Sequence, residues 1–226
     1  MPTRMNTMRV SPWAILLIAA LLPAAHAQTN LVTFAFTDQS SPAATLAPTA
    51  VASHLSVGSF TVSDGAFTST NFTTGSPPDA PAVADGGGWT STTPAKYFAF
   101  TITPDAGYQF DVTAISFDYR QTSTGPANYQ VDVGLITNVL SGSFLTDSAW
   151  HAISSIVDVE GLASPQQVRI YGFNGGSGSF GLDSVVLTGS VTAVPEPAAM
   201  AAGAGIVMLV AAVKRRRARP PRKALG

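Results

Sequence analysis

Residues able to support catalysis are few and scattered in this chain. Beyond residue 27 the sequence has only two histidines, His54 and His151, and its one glutamate before residue 194 is Glu160, in the turn-like segment EGLASP. His151 lies near Asp147, yet a catalytic histidine also needs a nucleophile, and the chain has no Gly-x-Ser-x-Gly motif. Glycoside hydrolysis needs two carboxyl groups in matched geometry, and no pair is singled out by its spacing. The sequence therefore predicts a protein that is not an enzyme.

The tryptophans are better candidates for binding than any residue is for catalysis. Trp89 follows DGGG in a predicted loop, and Trp150 ends another predicted loop. Exposed aromatic faces beside Asp or Asn hold sugars by stacking and hydrogen bonding, so Trp89 and Trp150 are candidate ligand-binding residues. The alternative is that both belong to the core, where large aromatic rings mostly lie.

A glycine pattern near the end of the body has the form of a dinucleotide-binding fingerprint. Gly176-x-Gly178-x-x-Gly181 has the required spacing. A phosphate site of this kind needs a helix directly after the glycines, and no helical pattern follows. We therefore predict a hairpin tip at this position and no nucleotide cofactor.

Cysteine usage and charge exclude further classes of function. No cysteine occurs in the 226 residues, which excludes disulfides, thiolate zinc sites and cysteine nucleophiles. Residues 28–193 contain eleven Asp and one Glu against three cations, a formal charge of −9, and the other nine basic residues lie near the two ends. An acidic body lacks the clustered Lys and Arg that nucleic-acid phosphates require. We expect an acidic body between basic targeting tails, with no nucleic-acid partner.

Alternation of apolar and polar residues dominates this body. In VTAISFDYR, Ile115, Phe117 and Tyr119 share one face, and in YQVDVGL the apolar face extends from Tyr129 to Leu135. Similar alternation occurs in LVTFAFT, SVGSFTVS, AFTSTNF, KYFAFTIT, QVRIYGF and FGLDSVVLTGSV, and the turn signals TPDAGY, TSTGPAN, EGLASPQ and NGGSGS separate such segments. The pattern predicts an all-β domain at residues 28–193, an antiparallel two-sheet sandwich arranged as a jelly roll, with long loops at residues 40–53 and 75–94.

The N-terminus has the organisation of a secretory signal peptide. Arg4 and Arg9 precede an apolar segment at residues 13–22, and the small residues Ala25 and Ala27 form an Ala-x-Ala cleavage site. Ten apolar residues are too few to span a bilayer, which needs about 20. We predict a signal helix at residues 1–27 that signal peptidase removes after Ala27, so that the body is exported.

The C-terminus has the organisation of a weak membrane anchor. Residues 198–213 are sixteen uncharged residues, near the lower limit of about 17 for a membrane helix. Basic residues are retained on the cytoplasmic side of membranes. The sequence predicts a transmembrane helix at residues 198–213 and a cytoplasmic tail at residues 214–226, whose basic stop consists of Lys214, Arg215, Arg216 and Arg217.

The residues around this anchor resemble a known sorting signal. The motif Val194, Pro195, Glu196 and Pro197, followed by a short apolar helix and Arg-rich residues, looks like the PEP-CTERM signal of Gram-negative bacteria that make extracellular polysaccharide. The resemblance implies an exosortase-type membrane protease that cuts near the motif. The protein would then occupy the inner membrane transiently before reaching the cell surface or the extracellular matrix. The alternative is a permanently anchored single-pass envelope protein.

A second resemblance concerns the end of the body. VRIYGFNGGSGSFGLDSVVLTG resembles the last hairpin of exported sandwich domains, which include carbohydrate-binding modules of the jelly-roll type. That resemblance implies a structural calcium ion held by Asp183 and Asp38, although calcium needs six to eight oxygen ligands, and the alternative is that Asp183 is a strand-edge or turn residue. We expect an exported structural or carbohydrate-binding protein whose partner is extracellular polysaccharide, with a secreted glycan hydrolase as a further alternative.

Overall fold

The computed structural model describes residues 28–36, 46–64, 67, 83–195 and 208–209. No helix within these residues is long and apolar enough to cross a membrane. The predicted signal helix at residues 1–27, with Ala25 and Ala27, lies outside the described residues. So do Glu196, Pro197, the basic stop and all of the predicted transmembrane helix except residues 208–209. The expectations about both tails therefore stay predictions.

Twelve β-strands make up the described part of the body. In chain order they are β1 (Thr29–Phe34), β2 (Ala50–Val51), β3 (Leu55–Val57), β4 (Thr61–Val62), β5 (Val83–Gly86), β6 (Lys96–Pro104), β7 (Tyr108–Gln121), β8 (Asn128–Val133), β9 (Ile136–Ser143), β10 (His151–Leu162), β11 (Gln166–Phe173) and β12 (Ser179–Ala193).

The strands form two sheets, and every pairing is antiparallel. Sheet I has the spatial order β10-β7-β12-β1-β2, with β5 also paired to β12. Sheet II has the order β3-β6-β11-β8-β9, with β4 also paired to β6. From β6 onward every connection except the β8–β9 hairpin crosses from one sheet to the other, which is the jelly-roll arrangement. The prediction of an all-β antiparallel two-sheet sandwich is confirmed.

The core lies between the sheets and is built by the alternation seen in the sequence. Phe98, Phe100 and Ile102 of β6 are buried, as are Ile115 and Phe117 of β7. Because successive side chains of a strand point to opposite faces, burial of these residues directs their neighbours to the outer surface. Aromatic rings fill much of the centre: the ring centroid of Phe98 lies 5.9 Å from Phe60, 5.9 Å from Trp89 and 5.4 Å from Phe180.

One predicted inward residue is on the surface instead. Leu135 was expected to continue the buried face of Tyr129, but its side chain is 98% exposed. The reason is that β8 ends at Val133, and Gly134 takes a positive φ of 61° that turns the chain directly into β9. Leu135 therefore lies at the tip of a two-residue hairpin connection, where the alternation of β8 no longer applies.

The predicted loops and the predicted hairpin also need correction. Residues 40–53 include β2 and residues 75–94 include β5, so each loop contains a short strand that pairs with sheet I. The glycines Gly176 and Gly178 do not form a hairpin tip, because β11 and β12 lie in different sheets and the segment crosses between them. A strand follows these glycines, as expected for a segment without a phosphate site.

Truncation of a central ring tests the role of the aromatic core. We expect Phe98→Ala to lower the free energy of unfolding by about 3–5 kcal/mol, because it leaves a cavity and removes the contacts of the ring with Phe60, Phe67, Trp89 and Phe180. Leu135→Ala is the control, because removal of an exposed side chain should change stability by about 0.5 kcal/mol or less. Urea unfolding followed by fluorescence measures both, and a loss below about 1 kcal/mol for Phe98→Ala would contradict the described core.

Candidate functional site

Trp89 is a core residue and not a surface platform. Its side chain is fully buried, and its ring meets Phe180 edge to face at 5.3 Å. The ammonium of Lys96 lies 4.7 Å from the centroid of the Trp89 ring and donates a hydrogen bond to the carbonyl of Gly87 at 2.8 Å. The same ammonium forms an ion pair with Asp64 at 2.8 Å. The ring face of Trp89 is thus occupied by protein and is not open to a ligand.

Trp150 and His151 lie together at the start of β10. Trp150 is half-buried, so it is the only one of the two candidate tryptophans with an accessible surface. The Nε2 atom of His151 lies 2.7 Å from Oδ1 of Asp147, and its ring lies 5.5 Å from that of Tyr119. The hydrogen bond with His151 is the main cause that lowers the pKa of the Asp147 carboxyl. This arrangement fixes the loop to the strand.

The proposed calcium ligand Asp183 lies within β12 and does not begin it. Its side chain is 2% exposed, and its Oδ1 accepts a hydrogen bond from the backbone N–H of Ser184 at 2.7 Å. Asp118 of β7 is its cross-strand neighbour. Among the described residues no group of three or more His, Cys, Asp or Glu side chains could hold a metal ion. Asp38, the second predicted ligand, lies outside those residues, so the calcium site stays a prediction.

The outer surface of sheet II carries a group of side chains that the sequence analysis did not single out. On β11, Arg169 and Tyr171 alternate with residues buried in the core, so their side chains are on the outer face. Tyr171 lies opposite Tyr97 of β6 on one side and opposite Gln130 of β8 on the other. Arg169 lies opposite Asp132 of β8. We call these five residues the polar-aromatic face.

The rings and the guanidinium of this face contact one another. The rings of Tyr97 and Tyr171 meet edge to face, with centroids 5.1 Å apart and an interplanar angle of 65°. The guanidinium carbon of Arg169 lies 5.6 Å from the centroid of the Tyr97 ring. Its Nε donates a hydrogen bond to Oε1 of Gln167 at 2.6 Å, which fixes the side chain along the strand. Edge-to-face rings and a guanidinium over a ring are favourable arrangements that hold the group in place.

The carboxylate of this face is also fixed by hydrogen bonds. Oδ1 of Asp132 accepts one from Nε2 of Gln130 and one from the backbone N–H of Asn138, each at 2.8 Å. Asp132 is 3% exposed and Tyr171 is 8% exposed, whereas Tyr97, Gln130 and Arg169 are half-buried. The buried pair therefore supports the other three residues, which present their polar and aromatic surfaces to solvent.

The Tyr171 phenol is neutral in this group. Burial is the main cause that raises its pKa; the hydrogen bond with Arg169 lowers the pKa, and the Asp132 carboxylate raises it. Because an ordinary tyrosine has a pKa near 10, the phenol keeps its proton at physiological pH. To solvent the face thus offers the carboxamide of Gln130 and the guanidinium of Arg169 beside the ring of Tyr97, which suits an uncharged ligand rich in hydroxyl groups.

Comparisons with known proteins give structural neighbours only. No protein-family model matches the chain, and no curated protein gives a sequence match. Among solved structures, a mutant family 29 carbohydrate-binding module complexed with mannohexaose is 12% identical, with 72% of this chain and 92% of that chain covered and a TM-score of 0.36. A CBM4 structure is 12% identical, with coverage of 59% and 88% and a TM-score of 0.40. The K2 cleaved adhesin domain of Lys-gingipain is 10% identical, with coverage of 71% and 99% and a TM-score of 0.40. At these values the likenesses identify no ligand of this chain.

A pH-dependent stability test addresses the carboxylate pair of sheet I. The pKa of Asp118 is raised from 3.8, first because burial disfavours its charged form and second because Asp183 carries like charge. The folded protein therefore binds this proton more tightly than the unfolded chain does. The free energy of unfolding therefore falls as the pH rises from the pKa of Asp118 in the unfolded chain through its higher pKa in the folded protein. At neutral pH the full destabilisation by the ionised Asp118 is present. We expect Asp118→Asn to raise the free energy of unfolding at neutral pH, with a smaller gain in acid.

Urea unfolding at neutral and acidic pH measures this effect. Asp158→Asn, which changes an exposed carboxylate of β10, is the matched control and should shift stability little at either pH. A variant Asp118→Asn that is less stable than the wild type at neutral pH would instead show that the ionised carboxylate has a stabilising partner.

Proposed function

We propose that the protein is an exported, non-enzymatic component of the cell surface or extracellular matrix that binds a neutral polysaccharide on the polar-aromatic face. The observation that carries the proposal is the fixed cluster on sheet II. There the partly exposed ring of Tyr97 is braced by Tyr171, with Arg169 over that ring and Gln130 two strands away.

The chemistry of this face matches that of a sugar chain. The ring of Tyr97 offers an apolar surface for the C–H face of a pyranose, and the amide and guanidinium groups of Gln130 and Arg169 offer hydrogen-bonding groups for its hydroxyl groups. Neighbouring strands lie about 4.8 Å apart, so groups on adjacent strands recur at intervals comparable to the length of one sugar unit. An open sheet surface of this kind suits an extended chain better than a small molecule, which would need a pocket.

Charge favours a neutral polysaccharide over an acidic one. Arg169 and Asp132 balance each other within the face, and Arg169 and Arg120 are the only arginines of residues 28–193. The body carries a formal charge of −9, which repels polyanions at low ionic strength. The ligand class is therefore an uncharged extracellular glycan.

Sorting through the C-terminal signal belongs to the same proposal. The order of the two tails supports it, because the predicted signal peptide precedes the body and the predicted basic stop follows the apolar run at residues 198–213. At the described end of the body, Val194 and Pro195 are exposed directly after β12. Pro195 has no N–H group to continue the strand ladder, which favours an accessible segment for an exosortase-type protease.

Glycan binding can be tested by affinity electrophoresis in gels that contain soluble β-glucan, mannan or xylan. We expect the wild type to be retarded by at least one of these neutral polymers. Tyr97→Ala should weaken the affinity by roughly two- to tenfold, because it removes one stacking surface. Tyr108→Ala is the matched control, since Tyr108 is another partly exposed tyrosine and stacks on His54 away from the face. Equal retardation of Tyr97→Ala and the wild type, or retardation by alginate alone, would contradict the proposed site.

Sorting can be tested by the intact mass of the native protein in its own host. A mass that ends between Val194 and Pro197, found in the outer or extracellular fraction, is the expected result. A mass that retains Arg215, found in the inner-membrane fraction, would favour the permanently anchored alternative and contradict sorting. Glycan binding by the body is independent of either result.

A further inference from the structure

The end of the sandwich from which the chain leaves has an unusual surface. It comprises the β6–β7 turn (residues 105–107), the β8–β9 turn (residues 134–135), the β10–β11 turn (residues 163–165) and residues 194–195, and we call it the exit end. The strand register places these segments at one end. In sheet I the end of β12 and the end of β10 both pair with the start of β7, through Ala193–Tyr108 and Leu162–Phe110. In sheet II the start of β11 pairs with the end of β6, through Gln166–Ile102, and with the end of β8, through Val168–Val133. The short turns at residues 105–107 and 163–165 connect the two sheets there.

Apolar side chains project from this end into solvent. Leu135 is 98% exposed and Ile136 is 45% exposed, and Val194 at the chain exit is 40% exposed. Asp105 is the only charged residue within the exit-end turns, and its carboxylate lies 3.5 Å from Nδ1 of His54. The nearest carboxylates along the chain are Glu196, directly after Pro195, and Asp132, two residues before Gly134 and buried. Burial of these aliphatic side chains against another surface would be favourable.

The length of chain beyond this end identifies that surface. Val194 is held to the sandwich because its N–H donates a hydrogen bond to the carbonyl of Gly107 at 2.8 Å. Only residues 195–197 separate Val194 from the apolar run that begins at residue 198. Even when fully extended, four residue steps span at most roughly 14 Å. If the run is in a bilayer, the exit end cannot be far from the headgroup layer.

We propose that the exit end rests on the outer surface of the membrane while the C-terminal run holds the chain there, with Leu135 and Ile136 inserted among the lipid headgroups. This inference rests on the anchor in the proposed function. Insertion buries the two aliphatic side chains at the boundary between headgroups and acyl chains, about 5–10 Å deep for an interfacial contact. The exit-end turns contain no Lys or Arg, so apolar burial and not attraction to anionic lipids drives the contact.

This orientation also sets the direction of the glycan-binding face. Strands that begin or end at the exit end stand away from the membrane, so the outer surface of sheet II is turned sideways. The polar-aromatic face then contacts polysaccharide at the side of the body, above the membrane surface, and not polysaccharide between the body and the membrane.

The absence of native cysteine allows a direct test. Leu135→Cys in the full chain provides a single labelling site for a fluorescent probe, and Leu145→Cys provides a matched control. Leu145 is also an exposed leucine, but it follows β9 at the opposite end of the sandwich. Each labelled chain is reconstituted in vesicles of phosphatidylethanolamine and phosphatidylglycerol, with and without a nitroxide-bearing lipid. We expect the lipid to quench the probe at position 135 and to leave the probe at position 145 unquenched.

A third variant separates docking by the tip from simple proximity. A probe at Ala163→Cys, on another turn of the exit end, should be quenched in the otherwise native chain and should lose most of that quenching when Leu135→Asn and Ile136→Asn are added. Equal quenching with and without these changes would overturn the role of the tip.

The remaining outcomes distinguish docking of the exit end on the membrane from anchoring by the C-terminal run. A chain that floats with the vesicles but shows no quenching at position 135 would overturn docking and leave the anchor intact. A chain that does not float would overturn both the anchor and the docking. Neither result affects glycan binding, which is measured on the polar-aromatic face with Tyr97→Ala.

Discussion

The face-to-face packing of the two sheets is the constraint on which the rest of this molecule depends. The chain has no cysteine, so no disulfide supplements the core. Phe98 of sheet II and Phe180 of sheet I meet between the sheets, beside the fully buried Trp89. Burial of a whole aromatic side chain contributes on the order of 2–3 kcal/mol. The ammonium of Lys96 closes this region over the Trp89 ring and remains bonded to Asp64 and Gly87, so the charge is buried without being isolated.

The same packing creates the polar-aromatic face. Because Phe98 of β6 and Ile170 of β11 must point inward, Tyr97 and Tyr171 must point outward, and the antiparallel register brings them opposite each other. A slip of one residue in either strand would move every core residue of that strand to the surface, at a cost far above that of any surface contact. The geometry of the face is therefore fixed by the core behind it. Contacts such as the Asp132–Gln130 hydrogen bond only refine side-chain positions.

Local alternation allowed the fold to be predicted from the sequence, but pairing between distant strands decided the site. Segments such as VTAISFDYR showed which side chains are buried, and the two-sheet sandwich followed from them. QVRIYGF and KYFAFTIT contain Arg169, Tyr171 and Tyr97 at outward positions, yet only the β6–β11 register brings these residues together. Trp89 and Trp150 were candidates because they stand in predicted loops, and for Trp89 the stated alternative holds, since its side chain is fully buried. The exposure of Leu135 depends on the φ of Gly134, which periodicity does not reveal.

The position of β12 has a consequence for the timing of folding. β12 is the last strand of the body, yet it lies in the middle of sheet I between β7 and β1, and Gly189 near its end pairs with Thr29 at the start of β1. A chain that crosses a membrane from its N-terminus delivers β1 first and must wait for β12 before sheet I can close. Pairings of such large sequence separation form slowly, because the loop entropy is lost before the contacts stabilise the product. The sandwich can therefore be completed only when nearly all of the body is available, so folding is an event of the finished chain and not of the emerging one.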